Sequence, residues 1–340
     1  MTFFLIVSAI LCAMPVAGLI YQWLGSGQDA RRYPPPGKML DVGDHRVHVH
    51  VTGTGPVTVL LEAGIAASSV SWQPVEAGIG AFAQVCAYDR AGLGWSDHSS
   101  APRTIGNIVR DLHSLLAKVS PSGPVVLVGH SFGGLVVLEY ARLHRQDVAG
   151  LVLVDPLPAA EWHPPIAAEI DRLCHAVRLA RRGALLARLG VVRVSLDLLK
   201  AGSRAIPKLA ARTSGGRGSK LTERLVGEVR KLPRELWPVV QAHWCQPKSF
   251  KSLADHLASL PVSAAACDAA SGLGDLPLIV LSAADSSPSR SVEHDRMAAR
   301  STLGRKVVAE KSGHWIQLDQ PDLVIESVRE VILRSTRRSS

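Results

Sequence analysis

The chain has no Cys-x-x-Cys pair, so neither a zinc ribbon nor a thioredoxin-like redox site has its ligands. Its five cysteines, Cys12, Cys86, Cys174, Cys245 and Cys267, are too scattered for a disulfide framework and are compatible with a reducing compartment. No internal repeat is present, which argues against a solenoid or propeller. Nothing in the composition suggests disorder or collagen: 47% of residues are apolar and 20% charged, as in ordinary globular proteins. With 340 residues, the chain can bury a sizeable core in one large domain or two small ones.

Charge is scarce at the start of the chain and one-sided in the middle. Phe3–Leu24 is a run of 22 residues without a charge. As a helix rising ~1.5 Å per residue, it is long enough to cross a bilayer core of ~30 Å. A secretory signal would be shorter and preceded by Lys or Arg, and here only Met1 and Thr2 precede the run. The small residues in Ala13–Gly18 leave cleavage open, and the lack of a polar face argues against a buried core helix. The expectation is an uncleaved anchor over residues 1–25, a linker over 26–38 ending in Pro34-Pro35-Pro36, and a single-pass membrane protein. Arg31, Arg32 and Lys38 lie on the carboxyl side of the run, which favours a cytoplasmic main domain. Between Leu157 and Ala270 there are 18 Lys/Arg against 9 Asp/Glu, while the remainder of the chain is balanced. Such a segment suits an anionic membrane surface, acidic substrates or nucleic acid, or is the solvated face of surface helices.

The first strands are expected at about Met39–Val42 and Arg46–Thr52, and short apolar runs fit for buried strands follow at Val57–Glu62, Val85–Tyr88, Val125–Gly129, Gly150–Val154, Leu278–Ser282 and Val307–Glu310. Between them lie helical patterns. Ile105, Ile108, Val109, Leu112, Leu115 and Leu116 recur at helical spacing behind a capping Thr104, and Pro321 opens a last helix carrying Val324, Val328 and Val331. Alternation of this kind predicts a mostly parallel sheet with helices on both faces. It breaks between Asp155 and Leu276, where amphipathic patterns such as Ile166, Ile170, Leu173 and Val177 and a loop-like Thr213–Ser219 replace strands. The domain reading is a core over 39–156 and 271–335, interrupted by a helical cap over 157–270 that carries the basic surplus.

Val125–Val128 leads into Gly129-His130-Ser131-Phe132-Gly133-Gly134 and then an apolar helical stretch. This is G-x-S-x-G in the strand, sharp turn and helix it requires. A tight elbow brings backbone close to the serine, so side chains at Gly129 and Gly133 would crowd it, and the following helix N-terminus is aimed at the Ser131 hydroxyl. The general base is His314, in Lys311-Ser312-Gly313-His314-Trp315 between the last strand and the last helix, at the sheet edge that Ser131 should share. The acid is expected to be Asp285, which follows Leu278–Ser282. Asp155, at the end of another strand, is its rival, with turn closure or capping as its alternative role. Two backbone amides should form an oxyanion hole: Phe132, and Ile65 in the loop Ala63-Gly64-Ile65. His48 and His50 alternate on one strand face without a third ligand at hand, so no metal site is expected.

The runs Leu60-Leu61-Glu62-Ala63-Gly64, Ser71-Trp72 and Ala87-Tyr88-Asp89-Arg90-Ala91-Gly92-Leu93-Gly94-Trp95-Ser96-Asp97, with the elbow, Asp285 and Gly313-His314 in order, resemble the α/β-hydrolase superfamily from about Met39 to Leu333. The resemblance is especially to bacterial members with a membrane-spanning N-terminus. It implies an eight-stranded sheet with a helical cap between the sixth strand and the seventh, and a serine hydrolase acting on a carboxylic ester or thioester, small or amphiphilic, without metal or organic cofactor. Many relatives have His-Gly in the oxyanion loop where this chain has Glu62-Ala63-Gly64, so substrate class does not carry across. Serine at the elbow argues against the epoxide hydrolases and haloalkane dehalogenases that resemble it but use aspartate there. Alternatives left open are an acyltransferase or cofactor-free peroxidase on the same fold, and a non-catalytic ligand-binding protein. The expected partners are a small-molecule or lipid-like substrate and a membrane, not nucleic acid; the sequence leaves the oligomeric state open.

Overall fold

The computed structural model describes residues 2–120, 123–200, 229–268 and 272–339. Eight strands form one sheet: β1 (Lys38–Asp41), β2 (Arg46–Thr52), β3 (Thr58–Glu62), β4 (Gln84–Tyr88), β5 (Val125–His130), β6 (Val148–Val154), β7 (Leu278–Ala283) and β8 (Gly304–Ala309). Their order is β1-β2-β4-β3-β5-β6-β7-β8, with the β1–β2 and β2–β4 pairs antiparallel and all pairs from β4 to β8 parallel. Every residue of β3, β5 and β7 is buried, as strands covered on both faces should be.

Side chains alternate across a strand with period two, and the core divides accordingly. Leu60, Leu127, Leu151, Leu153, Leu278 and Val280 join one apolar cluster, while Val59, Leu61, Val126, Val128, Val152 and Val154 join a second. The described helices are α1 (Thr2–Arg32), α2 (Gln73–Gly80), α3 (Ile105–Val119), α4 (Phe132–Leu143), α5 (Ala167–Arg188), α6 (Val191–Lys200), α7 (Trp237–Trp244), α8 (Pro247–Ala258), α9 (Leu260–Asp268), α10 (Pro288–Ala298), α11 (Ile316–Asp319) and α12 (Pro321–Ser339). Helices α3, α4 and α9 supply the first cluster, and α2 and α12 the second. The six apolar residues predicted to face inward from α3 are the six that are buried, and Val324, Val328 and Val331 form the fully buried stripe of α12. Thr104 stands at the N-cap of α3 without a side-chain capping bond, and the hydroxyl of Ser263 accepts from Ile105 N–H instead. A helical region interrupts the sheet between β6 and β7, as expected; Thr213–Ser219 lies outside the described residues.

The chain divides into two compact units, Pro36–Val177 with Asp255–Ser340, and Met1–Pro35 with Arg178–Ala254. The second unit corrects the reading of the N-terminus. Among the described residues, no helix is long and apolar enough to cross a membrane. The anchor at 1–25, the single-pass localisation with its cytoplasmic side, and the membrane as a partner through this helix are therefore withdrawn. Several residues in the carboxyl-terminal half of α1 make protein contacts, although much of its surface is exposed. Gln22 Nε2 donates to the Cys245 carbonyl at 2.8 Å, and Arg193 reaches both Gln22 Oε1 at 3.1 Å and Asp29 at 2.7 Å. Tyr21 donates to Asp197 at 2.7 Å. Gly18 lies against the Leu189 backbone and Gly25 against the Arg193 guanidinium, so two glycines that look like linker or spacer permit close packing. The helix runs on to Arg32, through the start of the segment expected to be a linker.

Candidate active site

Strand β5 delivers Ser131 into a backbone conformation few residues tolerate, with φ +53° and ψ −118°. A non-glycine residue held there costs roughly 1–3 kcal/mol, which the surroundings must over-determine. They do so through main-chain bonds: Ser131 N–H donates to Val154 O at 3.0 Å, and Ser131 O accepts from Gly134 at 2.9 Å and Leu157 at 3.0 Å. The crowding anticipated at the elbow glycines is present. A Cβ on Gly129 would fall 2.5 Å from Gly133 O, and one on Gly133 would collide with Glu62 O.

His314 follows β8 on the loop before α11. Its Nδ1 donates to Asp155 Oδ2 at 2.6 Å. This corrects the expected pairing with Asp285. Asp155 lies one residue past β6, the strand beside β5, whereas Asp285 follows β7, one strand farther from Ser131 in the sheet. Asp155 adopts φ +41°, and its Oδ1 also accepts from Ala283 N–H at 2.9 Å and the Ser286 hydroxyl at 3.1 Å. Burial alone would push this carboxyl up; the hydrogen bond and charge of His314, with the Ala283 amide, outweigh it and hold the pKa at about 2. An ionised Asp155 only accepts, so the imidazole proton sits on Nδ1. Asp285 is exposed, its carboxylate near the Gly313 backbone and its charge felt by Arg290.

His130, between the elbow glycine and the serine, was not singled out in the sequence. Its Nε2–H donates to the carbonyl of His314 at 2.9 Å, and its ring lies 4.7 Å from that of His314. Burial, then the charge of His314, pushes its pKa down to about 3, so it is neutral at physiological pH. His130 thus ties the His314 loop to the elbow.

Phe132, whose amide was expected as one oxyanion donor, is the first residue of α4 and fully buried. The loop carrying Ile65 passes beside the serine: a Cβ on Gly64 would lie 3.4 Å from Ser131 Cβ and 2.8 Å from His130 Nδ1. Beneath this loop sits a second arrangement the sequence reading missed. Glu62 is wholly buried and bound by the Tyr88 hydroxyl and the Arg90 guanidinium. Burial pushes the Glu62 carboxyl up, against the opposing pull of Arg90 and Tyr88. The available signal was a charged residue ending an otherwise apolar strand, which seldom stays buried without a partner.

The two strand histidines have separate partners. His48 Nδ1 meets Asp89 at 2.9 Å and its Nε2 donates to Pro36 O, while His50 meets Glu76 at 3.2 Å. Among the described residues, two other groups bring His and acid side chains within reach of one ion, His113/His144/Asp147 and Asp44/His45/Asp111; neither includes Ser131 or His314.

Comparison with known proteins agrees with this fold. Residues 47–327 match the profile described as the alpha/beta hydrolase family. The uncharacterized protein YqjL of Bacillus subtilis is 38% identical over 107 residues, covering 32% of this chain and 42% of that protein. An AB hydrolase superfamily protein of Gibberella zeae is 36% identical over 104 residues, covering 29% of this chain and 32% of that protein. The match therefore spans less than half the length of either relative. Among solved structures, the epoxide hydrolase CorEH superposes with a TM-score of 0.64 at 16% identity, over 87% of this chain and 98% of that one. A thermophilic esterase from Thermogutta terrifontis does so at 0.53 and 21%, over 86% and 94%. At these identities the likeness carries the fold alone.

Proposed function

Because the chain belongs to the alpha/beta hydrolase family, we propose that it is a serine hydrolase cleaving an ester-like carbonyl, a carboxylic ester or thioester, through an acyl-enzyme. The observation that carries the proposal is the Asp155–His314 hydrogen bond of 2.6 Å, on a loop that His130 ties to the strand-to-helix elbow where Ser131 is held at φ +53°. In this reading His314 takes the Ser131 proton as the hydroxyl attacks the carbonyl. Asp155 fixes the tautomer and supports the imidazolium that forms. The amides of Phe132 and Ile65 receive the developing oxyanion, and a water activated by His314 then releases the acyl group. Asp155 takes the acid role first expected of Asp285, since it holds the imidazole.

Ser131 also separates this chain chemically from neighbours of the same fold. A serine forms an acyl-enzyme with a carbonyl and has no use for the ring or carbon–halogen opening that an elbow carboxylate performs. The test is labelling of the full chain with a serine-directed fluorophosphonate, alongside a panel of short- to long-chain nitrophenyl esters. Wild type should label and hydrolyse; Ser131→Ala should do neither while remaining folded. Near wild-type turnover in Ser131→Ala would refute the mechanism.

A further inference from the structure

The chain departs from the common His-Gly oxyanion loop, and the structure contains a brace where the departure occurs. Arg90 follows β4 and is 3% exposed. Its Nη1 donates to the Glu62 carboxylate and to the Ala63 carbonyl, the latter at 2.6 Å. Its Nη2 donates to the Gly64 carbonyl at 2.5 Å, and its Nε to His256 Nε2 at 3.3 Å. The guanidinium also lies over the Phe132 ring, 5.5 Å from the centroid. One side chain thus touches both segments that carry the assigned oxyanion donors.

Peptide planarity gives this arrangement a consequence. In a trans peptide the C=O of one residue and the N–H of the next point in opposite directions. Arg90 captures the carbonyls of Ala63 and Gly64, so the amides of Gly64 and Ile65 are turned away from it. The same backbone runs against Ser131, with a Gly64 Cβ position 3.4 Å from the serine Cβ. We infer that Arg90 is a positioning residue that sets the oxyanion hole by fixing the Gly64–Ile65 peptide and the Phe132 ring from behind. Glu62 is its counterion: a guanidinium this buried needs an opposite charge, and Tyr88 binds the same carboxylate. Lysine cannot replace the planar fork, because a point charge on a flexible stem does not hold several acceptors in one plane.

This role rests on the serine-hydrolase reading, and the experiment separates the two. In the full chain, Arg90→Lys, Glu62→Gln and Arg103→Lys are compared with wild type, with active sites counted by fluorophosphonate labelling at Ser131. The readouts are kcat and KM for a nitrophenyl ester and inhibition by an aryl boronic acid, which forms a tetrahedral adduct. Arg90→Lys is expected to lose about 10²–10³-fold in kcat per labelled site, with KM within about threefold and boronic acid affinity falling in parallel. Arg103, also buried and ion-paired with Asp111, controls for the loss of a buried arginine, and its variant should keep wild-type kcat per labelled site. Should Arg90→Lys not fold, Glu62→Gln decides: kcat should drop about tenfold at unchanged KM, as expected when a charged hydrogen-bond partner is lost. Wild type that takes no probe at Ser131 overturns the serine-hydrolase reading and this role with it. Labelled wild type with Arg90→Lys within threefold of its turnover, or a loss confined to KM, overturns the role of Arg90 alone.

Discussion

Replacing Asp155 by asparagine removes a charge and keeps the shape, so it isolates what the carboxylate does for His314. In the resting state the bond is Nδ1–H to carboxylate at 2.6 Å; in the transition state the ring becomes a cation beside a buried anion. At an effective dielectric near 20 and a charge separation of about 3–4 Å, that attraction is worth about 4–5 kcal/mol. At ~1.4 kcal/mol per tenfold, kcat should fall by roughly 10³–10⁴, and asparagine can also hold the imidazole in the wrong tautomer. Asp285→Asn touches no imidazole bond and should stay within about threefold, the range of an exposed charge. The assay is ester turnover per fluorophosphonate-labelled site in both variants. A second readout is stability against pH. The Asp155 carboxyl is held at about 2 against an ordinary 3.8, so it contributes about 2 kcal/mol that is fully present above pH 4 and lost as pH falls through 2. Asp155→Asn should remove that acid limb. Wild-type turnover in Asp155→Asn together with a large loss in Asp285→Asn would refute the reasoning and return the acid role to Asp285.

Two further outcomes follow from buried groups. His130 has its pKa lowered to about 3, so the unfolded chain binds a proton that the folded chain refuses; stability should fall as pH drops from about 6.5 toward 3. Thermal unfolding against pH should show a shallower decline over that range in His130→Gln, and an identical slope would contradict the buried neutral imidazole. Arg193→Met should cost about 1–3 kcal/mol by leaving Gln22 and Asp29 without their partner, measured by chemical denaturation together with proteolysis after Arg31 or Arg32. Unchanged stability and unchanged cleavage would refute the docking of α1 through this arginine.

Much of the fold was legible because strands buried on both faces write themselves as apolar runs, and all eight were found within a few residues of their ends. The elbow was legible for a similar reason: Gly129 and Gly133 answer a local steric need that leaves glycine in the sequence. His314 was reachable because its position between the last strand and last helix fixes its end of the sheet. Choosing between Asp155 and Asp285 needed the lateral order of strands, which puts β6 beside β5, and strand order is a tertiary fact. The N-terminal run misled for a different reason. A stretch such as Phe3–Leu24 shows its uncharged length in the sequence but not its partners, and Tyr21 and Gln22 within it bond to Asp197 and to the Cys245 carbonyl. The Glu62–Arg90 brace joins residues 28 apart in sequence, and no periodicity connects them.

The central claim is that Ser131 carries the acyl group. The direct measurement is rapid-quench intact mass spectrometry of the full chain mixed with a nitrophenyl ester, followed by peptide mapping. The account predicts a transient mass increase equal to the acyl group, located on Ser131 and absent in Ser131→Ala. Ester turnover with no adduct on Ser131 during an observed nitrophenol burst, or an adduct on another residue, would contradict it.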